Sequence, residues 1–210
     1  MPAAFSAVHE RVLSPLEVAA VRPVRERLIA HASGHVVELG GGTGENLALY
    51  DANAVNRVTV IGPDSWTRPA LERRAREASM PVDIVEDALP AGLDNGSIDV
   101  VVIALVLCSS PDRHGLLMSV RRLLREGGQL LFIEHTPTRL ARGVLGDLVS
   151  PMWRAVTTGC DLKSDPLAAI RGAGFLITDI ERFTMPTFQL PIRSCVAGIC
   201  LLYTSPSPRD

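Results

Sequence analysis

The chain has 210 residues, of which 47% are hydrophobic and 21% charged, and its formal net charge is −2. That composition suits one domain with a full apolar core and excludes a disordered chain. The small net charge excludes a general attraction to nucleic acid or anionic lipid, and no apolar run reaches the roughly 20 residues of a membrane-spanning helix.

The first residues, "MPAAFSAVHERVL", lack the charged start and apolar centre of a secretory signal. Residues 14–33 read as a helical segment: Ser14 suits a cap, Pro15 the first helical position and Gly34 a stop. Pro23 is expected to kink or split it. Strand-like and helix-like runs then alternate. Val36–Leu39 reads as a buried strand, Thr43–Tyr50 as a helix and Val58–Ile61 as a second strand. Ser65 or Thr67 opens a helix that runs to Ala78, with Ala70, Leu71, Ala75 and Ala78 on one face. Val82–Val85 is a third strand. Ile98–Leu107 is a fourth, almost continuously apolar as a central parallel strand should be. Ser110 and Pro111 start a helix with a stripe of Leu116, Leu117, Val120, Leu123 and Leu124, which Gly127 and Gly128 end. Gln129–Glu134 is the fifth strand, and Asp165 caps a short helix that begins at Pro166. Phe175–Phe183 and Cys195–Leu202 close the chain as an expected antiparallel hairpin.

Repeated strand–helix–strand units predict an α/β fold, a mostly parallel sheet with helices on both faces and an antiparallel last strand. The organisation expected is a helical segment over 1–34, a ligand-binding domain over 35–200 and a tail over 201–210. That tail, "LLYTSPSPRD", turns abruptly rich in Ser and Pro and reads as non-native or disordered sequence. Three arginine groups (Arg22, Arg25, Arg27; Arg73, Arg74, Arg76; Arg121, Arg122, Arg125) read as solvated helix faces, with a phosphate-binding patch as the second reading. The four cysteines form no CxxC pair and no zinc spacing, so no metal site is expected, and a reduced, cytoplasmic protein is.

The stretch "VVELGGGTG" runs from a short apolar strand into a knot of glycines. A P-loop would need Lys and Ser or Thr after its last glycine, and no Lys follows here. A dinucleotide loop of the form GxGxxG, started at Gly40, would require glycine where Glu45 stands. What remains is acidic-x-Gly-x-Gly-x-Gly, made of Glu38, Gly40, Gly42 and Gly44. A carboxylate beside such a loop suits a cationic ligand better than a pyrophosphate.

These residues and four later pieces resemble a class I S-adenosylmethionine (SAM)-dependent methyltransferase. The resemblance is to the branch of ubiquinone and menaquinone methyltransferases, and also to thiol methyltransferases. The later pieces, in family order, are "EDALPAGLDNGSIDVVV", "LVLCSSPD", "RRLLREGGQLLFIEH" and "GCDLKSDPLAAIRGAGF". The resemblance covers roughly residues 20–200 and implies a Rossmann-like seven-stranded sheet with SAM as cofactor. It implies that Glu38 organises the loop and the methionine ammonium, while Gly40, Gly42 and Gly44 admit the methionine moiety. Asp87 and Ala88 would lie beside the adenine, and Leu105 would line the cofactor face.

One position departs from the family pattern. Gly62 stands where an acid usually accepts both ribose hydroxyls, and Asp64 is the candidate substitute. A lost charge-assisted hydrogen bond of this kind costs about 1.5–3 kcal/mol. The reaction expected is in-line methyl transfer to a small-molecule acceptor, a thiol, a quinone-like ring or a lipid-related group.

His135 is the candidate base for an acceptor that arrives protonated. Glu134 reads as a loop organiser, His114 as exposed and Cys108 as packing, while Asp161, Met152 and Trp153 are candidates to face substrate. No nucleic-acid partner is expected, and peripheral membrane contact stays open. Two other readings stand beside the enzyme: a non-catalytic binding protein, suggested by Gly62, and a nicotinamide oxidoreductase, disfavoured by the absent third glycine of its loop.

Overall fold

The computed structural model describes residues 14–62, 65, 67–86, 89, 92–138, 141, 143–156, 159–185 and 194–202. Helix α1 spans Ser14–Ile29 with Pro23 inside it. It is followed by β1 (Gly34–Leu39), β2 (Val55–Ile61), α2 (Arg68–Glu77), β3 (Val82–Val85) and β4 (Ile98–Ala104). The second half contains α3 (Arg113–Leu123), β5 (Leu124–His135), α4 (Val144–Val156), α5 (Pro166–Gly172), β6 (Phe175–Thr184) and β7 (Ser194–Leu202).

The strands form a seven-stranded sheet in the order β3-β2-β1-β4-β5-β7-β6. Val36 pairs in parallel with Val58 on one side and Val100 on the other, and Val102 pairs with Leu131. β7 is inserted antiparallel between β5 and β6, with Phe132 opposite Gly198 and Gly198 opposite Ile180. The expected fold class is therefore the one observed. The chain builds outward from β1 through β2 to β3, then returns to add β4 and β5 on the other side. The order thus reverses between β1 and β4, and the crevice beyond their carboxyl ends is where such sheets place ligands.

Alternation explains why the central strands read as unbroken apolar runs. Val36, Val58, Val60, Val100, Val102, Leu131 and Ile133 face one layer with Val21, Val24 and Leu28 of α1 and Leu71 of α2. Val37, Leu39, Val101, Ile103, Leu130 and Phe132 face the other, with Leu117, Val120 and Leu123 of α3 and Leu167 and Ile170 of α5. Both faces are covered, so both sets of positions are mainly apolar, with Glu38, Thr59 and Glu134 as buried polar exceptions.

Several boundaries differ from expectation. Thr43–Tyr50 is a run of turns rather than a helix, held by bonds from Gly44 N to Gly41 O (2.8 Å), Leu47 N to Gly44 O (3.1 Å) and Leu49 N to Asn46 O (2.8 Å). A segment this short is a marginal helix, and here its Asn46 and Tyr50 side chains are drawn to a buried acid. β4 stops at Ala104 because Leu105 takes φ +61°, which no strand contains. α3 begins at Arg113, where Asp112 rather than Ser110 caps it by accepting from Gly115 N. Gly127 and Gly128 lie within β5, whose pairing with β4 shifts register between Ile98 and Val100. α4 has no counterpart in the elements read from sequence. Asp165 does cap α5, accepting from Ala168 N.

Candidate active site

Glu38, the next-to-last residue of β1, is only 3% exposed. Its carboxylate accepts from Asn46 Nδ2 at 2.9 Å and from Tyr50 Oη at 3.0 Å. Asn46 Oδ1 in turn accepts from Arg25 Nη1 at 2.7 Å. Burial raises the Glu38 pKa, against the opposing pull of Arg25 and the two side-chain donors. Burial beside Glu38 also pushes the Tyr50 phenol well above its ordinary value. Arg25 is thus half-buried behind the loop rather than on a solvated face. Arg74 braces the loop from the other side, donating to Thr43 O at 2.6 Å and pairing with Glu45 at 2.8 Å.

Between these braces the glycine loop turns. Gly40, Gly41, Gly42 and Gly44 all have positive φ, a region that glycine enters without steric cost. Gly40 continues the ladder to β2 through Gly40 N to Ile61 O at 2.9 Å, and a Cβ there would stand 2.6 Å from Val106 Cγ2. At Gly42 a Cβ would meet nothing within 4 Å. Gly40 is therefore needed for packing, whereas Gly42 is the loop's bare outer surface.

The end of β2 has the same character. Gly62 N donates to Val85 O at 2.9 Å, its φ is +64°, and a Cβ there would meet nothing. Asp64, Asp87 and Ala88 lie outside the described residues. Leu105 is partly buried at the end of β4, with its amide bound to Ile133 O at 2.7 Å.

A second group forms at the carboxyl ends of β4 and β5. Glu134 is fully buried and accepts from the amides of Val106 (2.8 Å), Leu107 (2.6 Å) and Cys108 (3.2 Å). It organises the turn after β4, as expected. Burial, resisted by those amides and by His135, raises its pKa to about 7. His135 ends β5 with Nδ1 at 3.8 Å from Cys160 Sγ, and its Nε2 is buried with no hydrogen-bond partner.

Cys108 and Cys160 are both buried, and their thiols face one another. The contact holds Cys160 below the ordinary thiol range, with further help from His135 and the Trp153 indole. It holds Cys108 above that range, as does burial. The ligating atoms of Cys108, His135 and Cys160 all lie within 4.8 Å of one another. Linear spacing carried no sign of this, because 27 and 25 residues separate the three (135 − 108 and 160 − 135).

The loop that delivers Cys160 is well tied. Asp161 N donates to Cys108 O at 2.8 Å, and the Asp161 carboxylate binds Arg113 at 2.9 Å and Arg154 at 2.8 Å. Asp161 is therefore spent on structure. Trp153 of α4 packs with Val149 against Cys108, Ala141, Cys160 and Leu162, while Met152 is 66% exposed. His114 is exposed, as expected.

Comparison with known proteins gives three results. The family model described as "Methyltransferase domain" matches residues 37–132. Thiol S-methyltransferase TMT1B of Homo sapiens is 32% identical over 176 residues, which cover 80% of this chain and 71% of that protein. Thiol S-methyltransferase TMT1A of Homo sapiens is 29% identical over 170 residues, 78% of this chain and 68% of that one. Among solved structures, geranyl diphosphate C-methyltransferase from Streptomyces coelicolor, in complex with S-adenosyl-L-homocysteine, superposes with a TM-score of 0.68 at 16% identity. The match covers 87% of this chain and 79% of that one. The cyclase SpnF superposes with a TM-score of 0.67, also at 16% identity, covering 88% and 81%. At such identities the likeness is one of fold alone.

Proposed function

The chain belongs to the SAM-dependent methyltransferases, and from that premise we propose that its acceptor is the sulfur of a small-molecule thiol. Methyl transfer from SAM to a small molecule is the activity of the family. The choice of sulfur is supported by two human relatives that are thiol S-methyltransferases by name.

The proposed cofactor site is the loop Gly40–Gly44 with Glu38 behind it. The observation that carries this reading is the turn of positive-φ glycines at the carboxyl end of β1, beyond the sheet's switch point, with open space in front of Gly42. The residues fit the cofactor's charge as well: the buried Glu38 carboxylate stands at the foot of a loop made of four glycines and Thr43. Asp87 and Ala88 beside the adenine, Leu105 on the cofactor face and Asp64 as the ribose-side acid complete the proposal. Gly62 leaves open space where an acid would usually stand, so we expect weaker ribose binding unless Asp64 fills that role.

SAM supplies an already activated methyl group when bound. The protein's own task is then to orient the acceptor and exclude water. For an acceptor that arrives protonated, His135 is the candidate base, and Nε2 is the nitrogen left for it because Nδ1 faces Cys160. A cytoplasmic location is part of the proposal, supported by four cysteines carried as thiols, and cell fractionation tests it. Among the described residues no helix is long and apolar enough to cross a membrane.

The test is calorimetric titration with SAM and S-adenosylhomocysteine, with NAD as control, followed by incubation with SAM and benzyl mercaptan. We expect saturable binding of both SAM species, no NAD binding, loss of binding in Gly42→Val, and a methyl thioether seen by mass spectrometry. Saturable SAM binding with methylation of a phenol but of no thiol would sink the choice of sulfur. A folded protein that ignores SAM up to millimolar concentration would sink the loop assignment.

A further inference from the structure

We propose that Cys108, His135 and Cys160 form a binding site for one soft divalent cation, Zn2+ by their donor set. The inference goes beyond methyl transfer and does not rest on it. Distance, donor chemistry and scaffolding all favour a cation at these residues.

The first is distance. In a tetrahedral zinc site, with Zn–S of about 2.3 Å and Zn–N of about 2.0–2.1 Å, neighbouring sulfurs stand about 3.8 Å apart and sulfur and nitrogen about 3.6 Å apart. Cys160 Sγ and His135 Nδ1 are already 3.8 Å apart, and all three donor atoms lie within 4.8 Å of one another. The side chains need to close by at most about 1 Å to share a cation.

The second is chemistry. Two thiols and one imidazole are the donors that zinc prefers over magnesium or calcium. Three protein donors also leave one tetrahedral position for an exchangeable ligand, as in zinc sites that do chemistry. The buried Glu134 carboxylate sits next to His135 in the chain and binds the Cys108 amide, so it favours positive charge at this place.

The third is scaffolding. Each donor is held by bonds that leave its ligating atom free: Cys108 through its amide to Glu134, His135 by the β5–β7 ladder, and Cys160 through its neighbour Asp161, whose amide donates to Cys108 O. Donors that arrive preplaced from three separate segments are what a metal site requires. A disulfide between the two cysteines would leave the imidazole without a purpose there. Metal on Nδ1 would also leave the proton on Nε2, so the metal-ligand and base roles of His135 exclude one another.

The test uses the full chain, reduced, stripped with a chelator and titrated with CoCl2. We expect one equivalent to bind, with a near-ultraviolet thiolate-to-cobalt band and the intense visible bands of tetrahedral cobalt, both bleached by ZnCl2. Cys108→Ser and Cys160→Ser should each weaken binding by at least about 100-fold, more than the loss of an outer-shell partner does. Cys200→Ser should leave the bands unchanged. Where a variant fails to fold, alkylation mapping of the wild type decides, since Zn2+ should shield Cys108 and Cys160 and leave Cys195 and Cys200 as they were. The proposal is overturned if folded protein shows no stoichiometric band, if the band survives in Cys160→Ser, or if mapping finds Zn2+ shielding neither thiol. The SAM titration is independent of all these readings.

Discussion

Glu38 is the residue on which the cofactor loop hangs, because two buried donors depend on its carboxylate. Glu38→Ala leaves Asn46 and Tyr50 without an acceptor and should cost about 2–4 kcal/mol in urea unfolding. Glu38→Gln keeps one acceptor and should cost less. Asp99 has a comparable role at the other end of β1, accepting from the His35 amide at 2.8 Å and from Arg125. Burial alone would raise its pKa, but the two donors together outweigh it and leave the pKa lowered. A lowered carboxylate stabilises the fold above its unfolded pKa and loses that contribution as pH falls through its folded one. Asp99→Asn should therefore cost about 1–2 kcal/mol at pH 7, with the half-exposed Arg125 adding little. The gap to wild type should close below roughly pH 4. A gap independent of pH would mean that charge has no part in it. Of these residues, Glu38 was legible in the sequence because its strand and glycines are contiguous with it. Asn46, Tyr50 and Arg25 were not, since a hydrogen bond across 8, 12 or 21 positions leaves no local pattern.

Among the elements, the loop from β1 and the end of β2 show two different needs for glycine. Gly40→Ala meets both a positive φ and the Val106 methyl, whereas Gly62→Ala meets the positive φ alone. The left-handed conformation costs roughly 1–2 kcal/mol for an L-residue. Thermal or denaturant unfolding should then place Gly62→Ala near that figure and Gly40→Ala at least about 1 kcal/mol beyond it. Equal costs would mean that Val106 moves aside freely. The helix expected over Thr43–Tyr50 failed at this scale: glycine turns and the pull of Glu38 on Asn46 and Tyr50 outweigh a weak local propensity. The strand expected to reach Leu107 failed for a related reason, because Glu134 gathers the amides of residues 106–108 into a turn. α4 does carry an apolar stripe at helical spacing, through Val144, Leu148, Val149, Met152 and Trp153, with Asp147, Ser150 and Arg154 on the other side, but Pro151 within it is a local signal against a helix.

For the whole molecule, a ligand that binds only the folded state stabilises it by about 2.7 kcal/mol at 100 times its dissociation constant. SAM at such excess should raise the unfolding midpoint of wild type and leave that of Gly42→Val unmoved. An equal rise in both would place the cofactor elsewhere. This linkage is global because the loop grows out of β1, an interior strand between β2 and β4, which is packed on both faces. The sequence by itself determined the alternation of strands and helices and the glycine loop. Those follow from apolar period, turn residues and short-range sterics, all of which act between neighbours in the chain. Only the tertiary structure decided that Arg25 and Arg74 brace the loop instead of facing water. It alone also brought Cys108, His135 and Cys160 within reach of one another. Such contacts depend on where separate segments come to rest across the folded sheet, and that is set by the packing of every element at once.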